Sequence, residues 1–353
     1  MKRIFGLKYL QVLILPALSF VSFTNTGWLT YLPLIESFLL IPLLELFYKP
    51  DESNLTEAQE AVRKNDSIYD LQVYIMVPIQ FFLLLVFLDS MKETLTISDK
   101  IGRITGMGML CGVIGINVAH ELGHRNTWYE QLMSKMLLLT SLYMHFFIEH
   151  NKGHHKNVST NEDPSSARFG EAIYSFWIRS VVFSYISAWK IELAKLRKLN
   201  KPFFSFKNEM LLFQLIQIGF LIGIGLFFGW EVMGYFILAA VMGFLLLETV
   251  NYIEHYGLER DKKGNTYERV MPHHSWNSDH VIGRLVLFEL SRHSDHHFIA
   301  SRKYQILRHI ENSPQMPTGY PGMMLLATIP PLWFRIMNPR IQKIKSRKLS
   351  AEV

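Results

Sequence analysis

Cysteine is nearly absent from this sequence of 353 residues, in which Cys111 is the only one. A single thiol excludes disulfide bonds within the chain, cysteine-ligated zinc and iron–sulfur centres. The sequence also lacks a flavin or nicotinamide fingerprint, so a redox reaction would need electrons from a separate protein. Internal repeats, low-complexity segments and sharp linkers are missing too, which favours a single domain over residues 1–353.

Charged residues are sparse, at 19% of the chain, whereas hydrophobic residues make up 49%. This balance is too apolar for an ordinary soluble enzyme. The apolar runs that are each about long enough to cross a bilayer are residues 7–23, 29–47, 71–88, 101–119, 211–228 and 232–250. The first lacks a small-residue cleavage site and is followed at once by the second, so we interpret it as an anchor rather than a signal peptide. The sequence therefore predicts an all-α membrane protein with about six transmembrane helices.

Histidine, in contrast, is concentrated in four clusters. Within the clusters the spacings are i, i+3, i+4 or i+5, which place the imidazoles largely on one face of a helix. Neutral imidazole is the commonest metal ligand in proteins, so the clusters predict a metal site. The candidate ligands are His120, His124, His150, His154, His155, His255, His293, His296 and His297.

Nine imidazoles exceed the four ligands of a structural zinc and the three of a catalytic zinc. They suit two ions with four or five ligands each and open positions for a small molecule. Imidazole suits iron, zinc and copper, so the ligands alone do not select the metal. Carboxylates near the clusters are expected to orient imidazole N–H groups, and they are Glu121, Glu149, Asp163, Glu254 and Asp295.

Two further apolar stretches are expected not to cross the membrane. If Leu132–Ile148 crossed, the histidines before and after it would lie on opposite sides and could not share a site. Met323–Trp333 is short and contains Pro330 and Pro331, so we expect it at the interface or packed on the protein body.

Charge asymmetry predicts the orientation in the membrane. Six spans place both termini and all four histidine clusters on one side. The segment from His150 to Asn208 carries ten lysines and arginines against four acidic residues, and the tail from Arg335 to Lys348 is basic too. The loops near Asn25 and Trp230, on the other side, are almost uncharged. The Lys/Arg bias places a cytoplasmic histidine-rich domain on the inner membrane.

The remaining histidine signals are weaker. His120-Glu-Leu-Gly-His124 alone is the zincin protease pattern, with Glu121 as general base, but seven further histidines argue against a protease. His309 is expected at the surface. Roles stay open for His145, His273, His274 and His280.

Five segments resemble the membrane-bound alkane 1-monooxygenases, distant relatives of the membrane fatty-acid desaturases and hydroxylases. They are Asn117–His124, His145–His155, Asn251–Leu258, His273–His280 and Arg292–His297. The resemblance runs from about Gly27 to Pro339. The Asn-Tyr-Ile-Glu-His-Tyr-Gly stretch is its most specific part, because desaturases share the histidine clusters in a looser form but not this stretch. Ser291, Phe298 and Glu36 depart from the usual pattern without replacing a candidate ligand.

This resemblance implies that the nine histidines bind two non-haem iron ions and that the protein inserts one oxygen atom of O2 into a terminal C–H bond. The implied substrates are medium- to long-chain n-alkanes from the membrane, and the products are 1-alkanols. Electrons would come from rubredoxin, reduced by an NAD(P)H-dependent reductase. Lys152, Lys156, Arg302 and Lys303 are candidates for attracting this acidic carrier. We expect no nucleic-acid partner.

Two alternatives to this interpretation stay open. One is a desaturase or hydroxylase that acts on acyl lipids or carotenoids, which product analysis would distinguish. The other is a membrane metal carrier, which would normally place ionisable residues through the membrane midplane. The histidines here gather at one membrane face instead.

Ser37, in the second apolar run, is a candidate determinant of substrate length. It lies among large residues such as Leu34, Ile35, Phe38 and Leu39. Small residues commonly permit close helix packing in membranes, which is one interpretation. The other is that Ser37 faces the substrate channel and leaves it open for medium and long chains.

Overall fold

The computed structural model describes residues 4–351 of the chain. Within that range the regular structure is helical, apart from a small antiparallel hairpin formed by Lys262–Lys263 and Thr266–Tyr267. The prediction of an all-α protein is therefore confirmed.

Six helices in the described part of the chain are long and apolar enough to cross a membrane. These spans, counted first to sixth in chain order, are Gly6–Thr24, Gly27–Glu45, Ser67–Ser90, Ile97–Gly123, Glu209–Phe228 and Trp230–His255. Each overlaps one of the six predicted runs, which confirms the prediction of a multi-pass membrane protein. The helices extend beyond the apolar runs because polar residues such as Asp99 and Glu121 continue them.

The rest of the helical structure consists mostly of short segments. The first and second spans begin as 3-10 helices, Ile4–Leu13 and Gly27–Tyr31. In residues 4–351, three π-helical turns interrupt the α-helices, and they are Glu36–Leu40, Cys111–Ile116 and His150–His154. The helices outside the spans are Glu57–Lys64, Trp128–Leu139, Phe146–Glu149, His155–Asn157, Ile173–Lys198, Pro272–His274, Val281–Val286, His293–Phe298, Tyr304–Ile306, Tyr320–Ala327 and Pro330–Ala351.

The fourth and sixth spans pack closely against each other at glycines. A Cβ on Gly243 would lie 2.4 Å from the Cβ of Cys111, and a Cβ on Gly112 would lie 3.2 Å from the carbonyl oxygen of Gly243. Carbon atoms normally approach to about 3.5–4.0 Å, so only glycine lets the two backbones come this close. This contact fixes the relative position of the two helices that carry His120 and His255.

The apolar stretch Leu132–Ile148 does not form one helix. The Trp128–Leu139 helix ends at Thr140, Leu142 adopts a left-handed φ of 51°, and a new helix begins at Phe146. In the described part of the chain, no single helix long enough to cross a membrane forms here, in line with the expectation that this stretch does not cross. The break keeps the histidines before and after it within reach of one another.

The helix Ile173–Lys198 is a long element that the sequence analysis does not identify. Its buried face includes Phe176, Ser180, Ser184 and Ala188, at the four-residue spacing of an amphipathic helix. Charged residues interrupt its apolar content, so hydropathy alone does not reveal it. The helix packs against the sixth span.

An aromatic cluster fastens the C-terminal helix to the end of the sixth span. The rings of Tyr252 and Tyr256 have centroids 5.1 and 5.2 Å from that of Trp333. The hydroxyl of Tyr256 also donates to Oδ1 of Asn338 over 2.6 Å. All three rings are fully buried, and burial of a large apolar side chain stabilises a protein by roughly 1.5–3 kcal/mol. The cluster therefore supports the position of His255.

Candidate metal centre

Separate segments of the chain carry the nine candidate histidines to one place. His120 and His124 lie at the end of the fourth span, and His255 is the last residue of the sixth. The other six occupy His150–His155 and the short helix His293–Phe298. Because both spans end here, the histidines gather at one end of the helical bundle.

Five of the histidines form a first group around a common centre. The members are His120, His124, His150, His155 and His296. Their Nε2 atoms form a closed ring in which neighbours are 3.0–3.3 Å apart. Nitrogen ligands about 2.1 Å from one ion lie roughly 3 Å from each other, as these do. The ring therefore has the spacing of nitrogen ligands that could hold a metal ion.

The other four histidines form a second group beside the first. They are His154, His255, His293 and His297, whose ligand atoms all lie within 4.8 Å of one another. The Nε2 atoms of His255 and His293 are 3.2 Å apart. The Nε2 atoms of His154 and His297 are buried and have no hydrogen-bond partner. Buried polar atoms are normally paired, so these nitrogens fit a second metal ion.

Burial favours the neutral, metal-binding form of four imidazoles of the first group and of His297 in the second. It lowers the pKa of His124 to about 3, and it lowers the pKa of His150, His155, His296 and His297 well below the ordinary value. Repulsion from neighbouring imidazoles acts in the same direction. The lone pairs are therefore free at neutral pH, and the donor set suits iron, zinc or copper.

Asp163 orients one of the second group's imidazoles. Its Oδ2 lies 2.9 Å from Nδ1 of His154, and it also accepts the hydroxyl of Ser166 over 2.5 Å. Burial alone would raise the pKa of Asp163, but His154 and these hydrogen bonds outweigh burial and lower it. The carboxylate thus stays charged and fixes Nε2 of His154 toward the centre.

Glu254 lies nearer the ligand atoms than its sequence position suggests. Its Oε2 is 3.1 Å from Nε2 of His293, the nitrogen that faces the second group. Its Oε1 accepts the hydroxyl of Tyr320 over 2.7 Å. Glu254 is therefore placed to join the ligand atoms rather than to orient an imidazole from behind.

The other three predicted carboxylates have different neighbours. Glu121 accepts two hydrogen bonds from the guanidinium of Arg125. Asp295 pairs with Arg302 over 2.8 Å and accepts the backbone N–H of Arg308. Glu149 is buried with its Oε1 unpartnered, and burial raises its pKa well above the ordinary value. The hydrogen bonds of Glu121 and Asp295 thus connect the centre to arginines.

The remaining histidines lie outside both groups. His145 is buried between Tyr143 and Tyr185. His280 contacts the hydroxyl of Ser278. Nε2 of His274 lies 3.1 Å from Oε1 of Glu268, and these two residues form a separate cluster with His273.

His309, which the sequence predicts at the surface, is only partly exposed. Its side chain is 12% exposed, and its Nδ1 lies 2.8 Å from Oδ2 of the buried Asp279. Asp279 also pairs with Arg292, immediately before His293. Contacts with residues distant in sequence, Asp279 and Asn54, reduce the exposure of His309, and the sequence alone does not reveal them.

An apolar cavity of about 80 Å³ reaches the centre from the membrane side. Its lining includes histidines of both groups, His120, His150 and His293. Ser37 and Phe38 line the same cavity. The hydroxyl of Ser37 donates to Glu36 over 2.8 Å, so it is occupied within the second span. Ser37 therefore adds a small side chain to the cavity wall.

A buried polar network near the centre was missed by the sequence analysis. Glu248 accepts hydrogen bonds from Tyr143, Ser180 and Asn251. A carboxylate within an apolar span is a functional signal in its own right, and it could have drawn attention to Glu248. No sequence feature indicates a role for Tyr320, because only the folded chain brings its hydroxyl to Glu254.

Comparison with known proteins gives a family for this arrangement. Residues 103–327 match the fatty acid desaturase family. The chain is 47% identical to alkane 1-monooxygenase 1 of Pseudomonas aeruginosa over 244 residues, which are 69% of this chain and 64% of that relative. It is 41% identical to alkane 1-monooxygenase 2 of the same organism over 86% of this chain and 82% of the relative. It is 37% identical to the alkane 1-monooxygenase of Ectopseudomonas oleovorans, over 95% of this chain and 85% of that relative. The chain therefore belongs to the fatty acid desaturase family and, within it, to the alkane 1-monooxygenase family of membrane enzymes.

Proposed function

We propose that this protein hydroxylates the terminal carbon of medium- to long-chain n-alkanes to give 1-alkanols, using O2 and electrons from rubredoxin. One observation carries the proposal: a mostly apolar cavity ends at histidines of both groups, His120, His150 and His293. Such a cavity binds hydrocarbon by burial, at about 0.8 kcal/mol per CH2 group. The named relatives are alkane 1-monooxygenases, which supports the same reaction.

The two histidine groups fit two non-haem iron ions, with five imidazoles for one and four for the other. Bound iron supplies the O2 chemistry that insertion into an unactivated C–H bond requires. Asp163 holds His154 in the orientation that directs Nε2 to the second group. Tyr320 holds Glu254 beside His293. These residues fix the ligand geometry before substrate arrives.

The cavity positions the substrate end-on. Its walls include Val113, Leu247, Val286 and Leu287, which offer no hydrogen bonds to a hydrocarbon. A linear chain inserted along them presents its terminal carbon to the histidines, and water is excluded by the same apolar walls. Ser37, on the second span, is the proposed channel residue that leaves room for longer chains.

The decisive experiment is product identification with purified protein. The protein would be loaded with iron and supplied with reductase, rubredoxin, O2 and either octane or hexadecane. We expect 1-alkanols by gas chromatography and mass spectrometry, with about two irons per chain by elemental analysis. Ala substitution of His150, His255 or His296 should lower iron content and product together, whereas His280→Asn should lower neither.

The same experiment separates the proposal from its rivals. An acyl-lipid desaturase or hydroxylase would leave both alkanes unchanged and modify acyl chains of added lipid. A metal carrier would bind ions and release no oxidised product. Either result would refute alkane hydroxylation, even with full iron content.

The proposed location is the inner membrane, with the metal centre facing the cytoplasm and rubredoxin arriving from that side. Lys152 and Lys156 are exposed next to the histidines and support docking of an acidic carrier. Arg302 and Lys303 are less available, because they pair with Asp295 and Asp70. We therefore assign the carrier contact chiefly to the two lysines.

A further inference from the structure

A second apolar cavity, of about 380 Å³, lies beside the one that reaches the histidines. Its walls come from the second and sixth spans, the Ile173–Lys198 helix and the end of the Tyr320–Ala327 helix. Leu238 and Leu325 stand at its edge and are 56% and 40% exposed. Leu238 belongs to the sixth span, and an exposed leucine in a membrane-spanning helix faces hydrocarbon. This outer cavity therefore opens toward the lipid rather than toward water.

The polar side chains of the outer cavity already have hydrogen-bond partners. Nε1 of Trp177 donates to Oγ1 of Thr249 over 3.1 Å, and that hydroxyl donates to the carbonyl oxygen of Leu245. The hydroxyl of Thr328 donates to the carbonyl oxygen of Leu325. An occupant is therefore offered apolar surface and no charged group. This chemistry selects a saturated hydrocarbon chain and gives no binding site for a lipid headgroup.

Three side chains form the partition between the outer cavity and the inner one. Phe38, Leu246 and Met324 line both cavities, and each comes from a different helical segment. Phe38 and Leu246 are half-buried, and Met324 is 9% exposed. Methionine is unbranched and adapts its shape readily. Met324 is thus the member of the partition best suited to move aside.

We propose that the outer cavity is a vestibule that takes up free linear alkane from the bilayer, and that Met324, with Phe38 and Leu246, gates its passage to the histidines. The inference rests on the proposed function for the identity of the substrate. Its physical basis is independent: two adjoining apolar cavities, one open to lipid and one ending at the metal ligands, share a wall of three side chains.

The vestibule is tested first by photolabelling the whole protein in lipid nanodiscs, without reductase or rubredoxin. The probe is a dodecane analogue that carries a diazirine, and labelled peptides are mapped by mass spectrometry. We expect labels on Trp177, Leu245 or Thr328 that excess dodecane suppresses. Labelling that dodecane does not suppress, or that only added phospholipid suppresses, would show a lipid acyl chain there and overturn the proposal.

The gate is tested by changing the size of one side chain. Met324→Trp should reduce labelling of inner residues such as Val113 and Leu247 severalfold, measured relative to the labelling of vestibule residues in the same variant. Ile329→Trp, on an exposed position outside both cavities, is the matched control and should change neither. If Met324→Trp does not fold, Met324→Ala tests the opposite direction and should increase inner labelling. Unchanged inner labelling in a folded variant overturns the gate.

Turnover measurements then separate this inference from the proposed function. If the protein forms no 1-alkanol but the labelling pattern holds, the function fails and the vestibule stands. If 1-alkanol forms at the same rate in wild type and Met324→Trp with unchanged labelling, the function stands and the gate fails.

Discussion

At the scale of single residues, the four histidines of the second group differ in what surrounds their Nδ1 atoms. Nδ1 of His154 has a carboxylate partner in Asp163, whereas the Nδ1 atoms of His255, His293 and His297 are buried without one. The orientation of His154 therefore depends on a charged side chain. The other three depend on packing and backbone position.

We predict that Asp163→Asn weakens metal binding. An amide cannot accept the Nδ1 proton as strongly as a carboxylate, and loss of such a partner typically costs about 10–100-fold in metal affinity or activity. The measurement is the rate of iron loss to a chelator, together with iron content. Glu162→Gln, at the exposed neighbouring position, is the control. Equal iron loss in wild type and Asp163→Asn would show that packing alone orients His154.

Ser37 gives a second prediction at this scale. Ser37→Trp should fill the inner cavity with a large ring, so that octane is still hydroxylated while hexadecane turnover falls sharply. A purely structural role would instead lower expression and reduce both activities alike. The quantity to measure is the ratio of octane to hexadecane turnover in both proteins. An unchanged ratio would remove Ser37 from the channel.

The nine candidate histidines can be identified from the sequence, but not all of the residues that contact them. Clustered spacing and imidazole chemistry identified the nine side chains that the fold brings together. Adjacent residues on a regular helix point about 100° apart, so the position of Glu254 next to His255 predicts a carboxylate that orients an imidazole rather than one beside the ligand atoms. In the structure Glu254 touches Nε2 of His293 and is held by Tyr320. The contact between Tyr320 and Glu254 joins residues 66 positions apart in the chain, so no local sequence pattern reveals it.

At the scale of elements, a π-helical turn divides one cluster between the two groups. His150 and His154 begin and end this turn, and His155 follows it. His150 and His155 belong to the first group, and His154 belongs to the second. A π turn widens the helix locally and is frequent at functional sites. The six long spans were predictable from apolar length, whereas this one-turn departure was not.

The glycine contact between the fourth and sixth spans supplies a prediction for this scale. Gly243→Ala would place a Cβ 2.4 Å from that of Cys111, so the two helices must separate. Overpacking of this kind typically costs about 1–3 kcal/mol. We expect a lower Tm in detergent and reduced iron content, because these helices carry His120 and His255. Gly234→Ala, on the same helix with open space around it, is the matched control. Equal Tm values for the two variants would contradict the packing argument.

At the scale of the whole molecule, net charge bears on the electron donor. The chain carries a formal charge of +6, and Lys152 and Lys156 are exposed near the centre. Electrostatic steering of an acidic carrier weakens as salt shortens the Debye length to roughly 8 Å at physiological ionic strength. Turnover at limiting rubredoxin should therefore fall with added salt, and less so at saturating rubredoxin. A rate independent of salt would argue against electrostatic docking.

The final prediction concerns orientation, and the scarcity of cysteine makes it simple to test. Cys111 is fully buried, so the wild-type protein should not react with a membrane-impermeant maleimide. Lys156 and Thr26 are both exposed. Thr26 lies between the first and second spans, whereas Lys156 lies between the fourth and fifth. Two loops on the same side of the membrane are separated by an even number of spans. Three spans separate Thr26 from Lys156, so these residues should lie on opposite sides of the membrane.

Each position would be replaced singly, as Thr26→Cys and Lys156→Cys, and labelled in intact spheroplasts and in inside-out vesicles. The Lys/Arg bias predicts that Lys156→Cys reacts only in inside-out vesicles and Thr26→Cys only in spheroplasts. Detergent should make both reactive, which controls for local burial. Reaction of Lys156→Cys in spheroplasts would place the metal centre outside the cytoplasm. A cytoplasmic electron carrier could then no longer reach it, because the electrons would have to cross the bilayer.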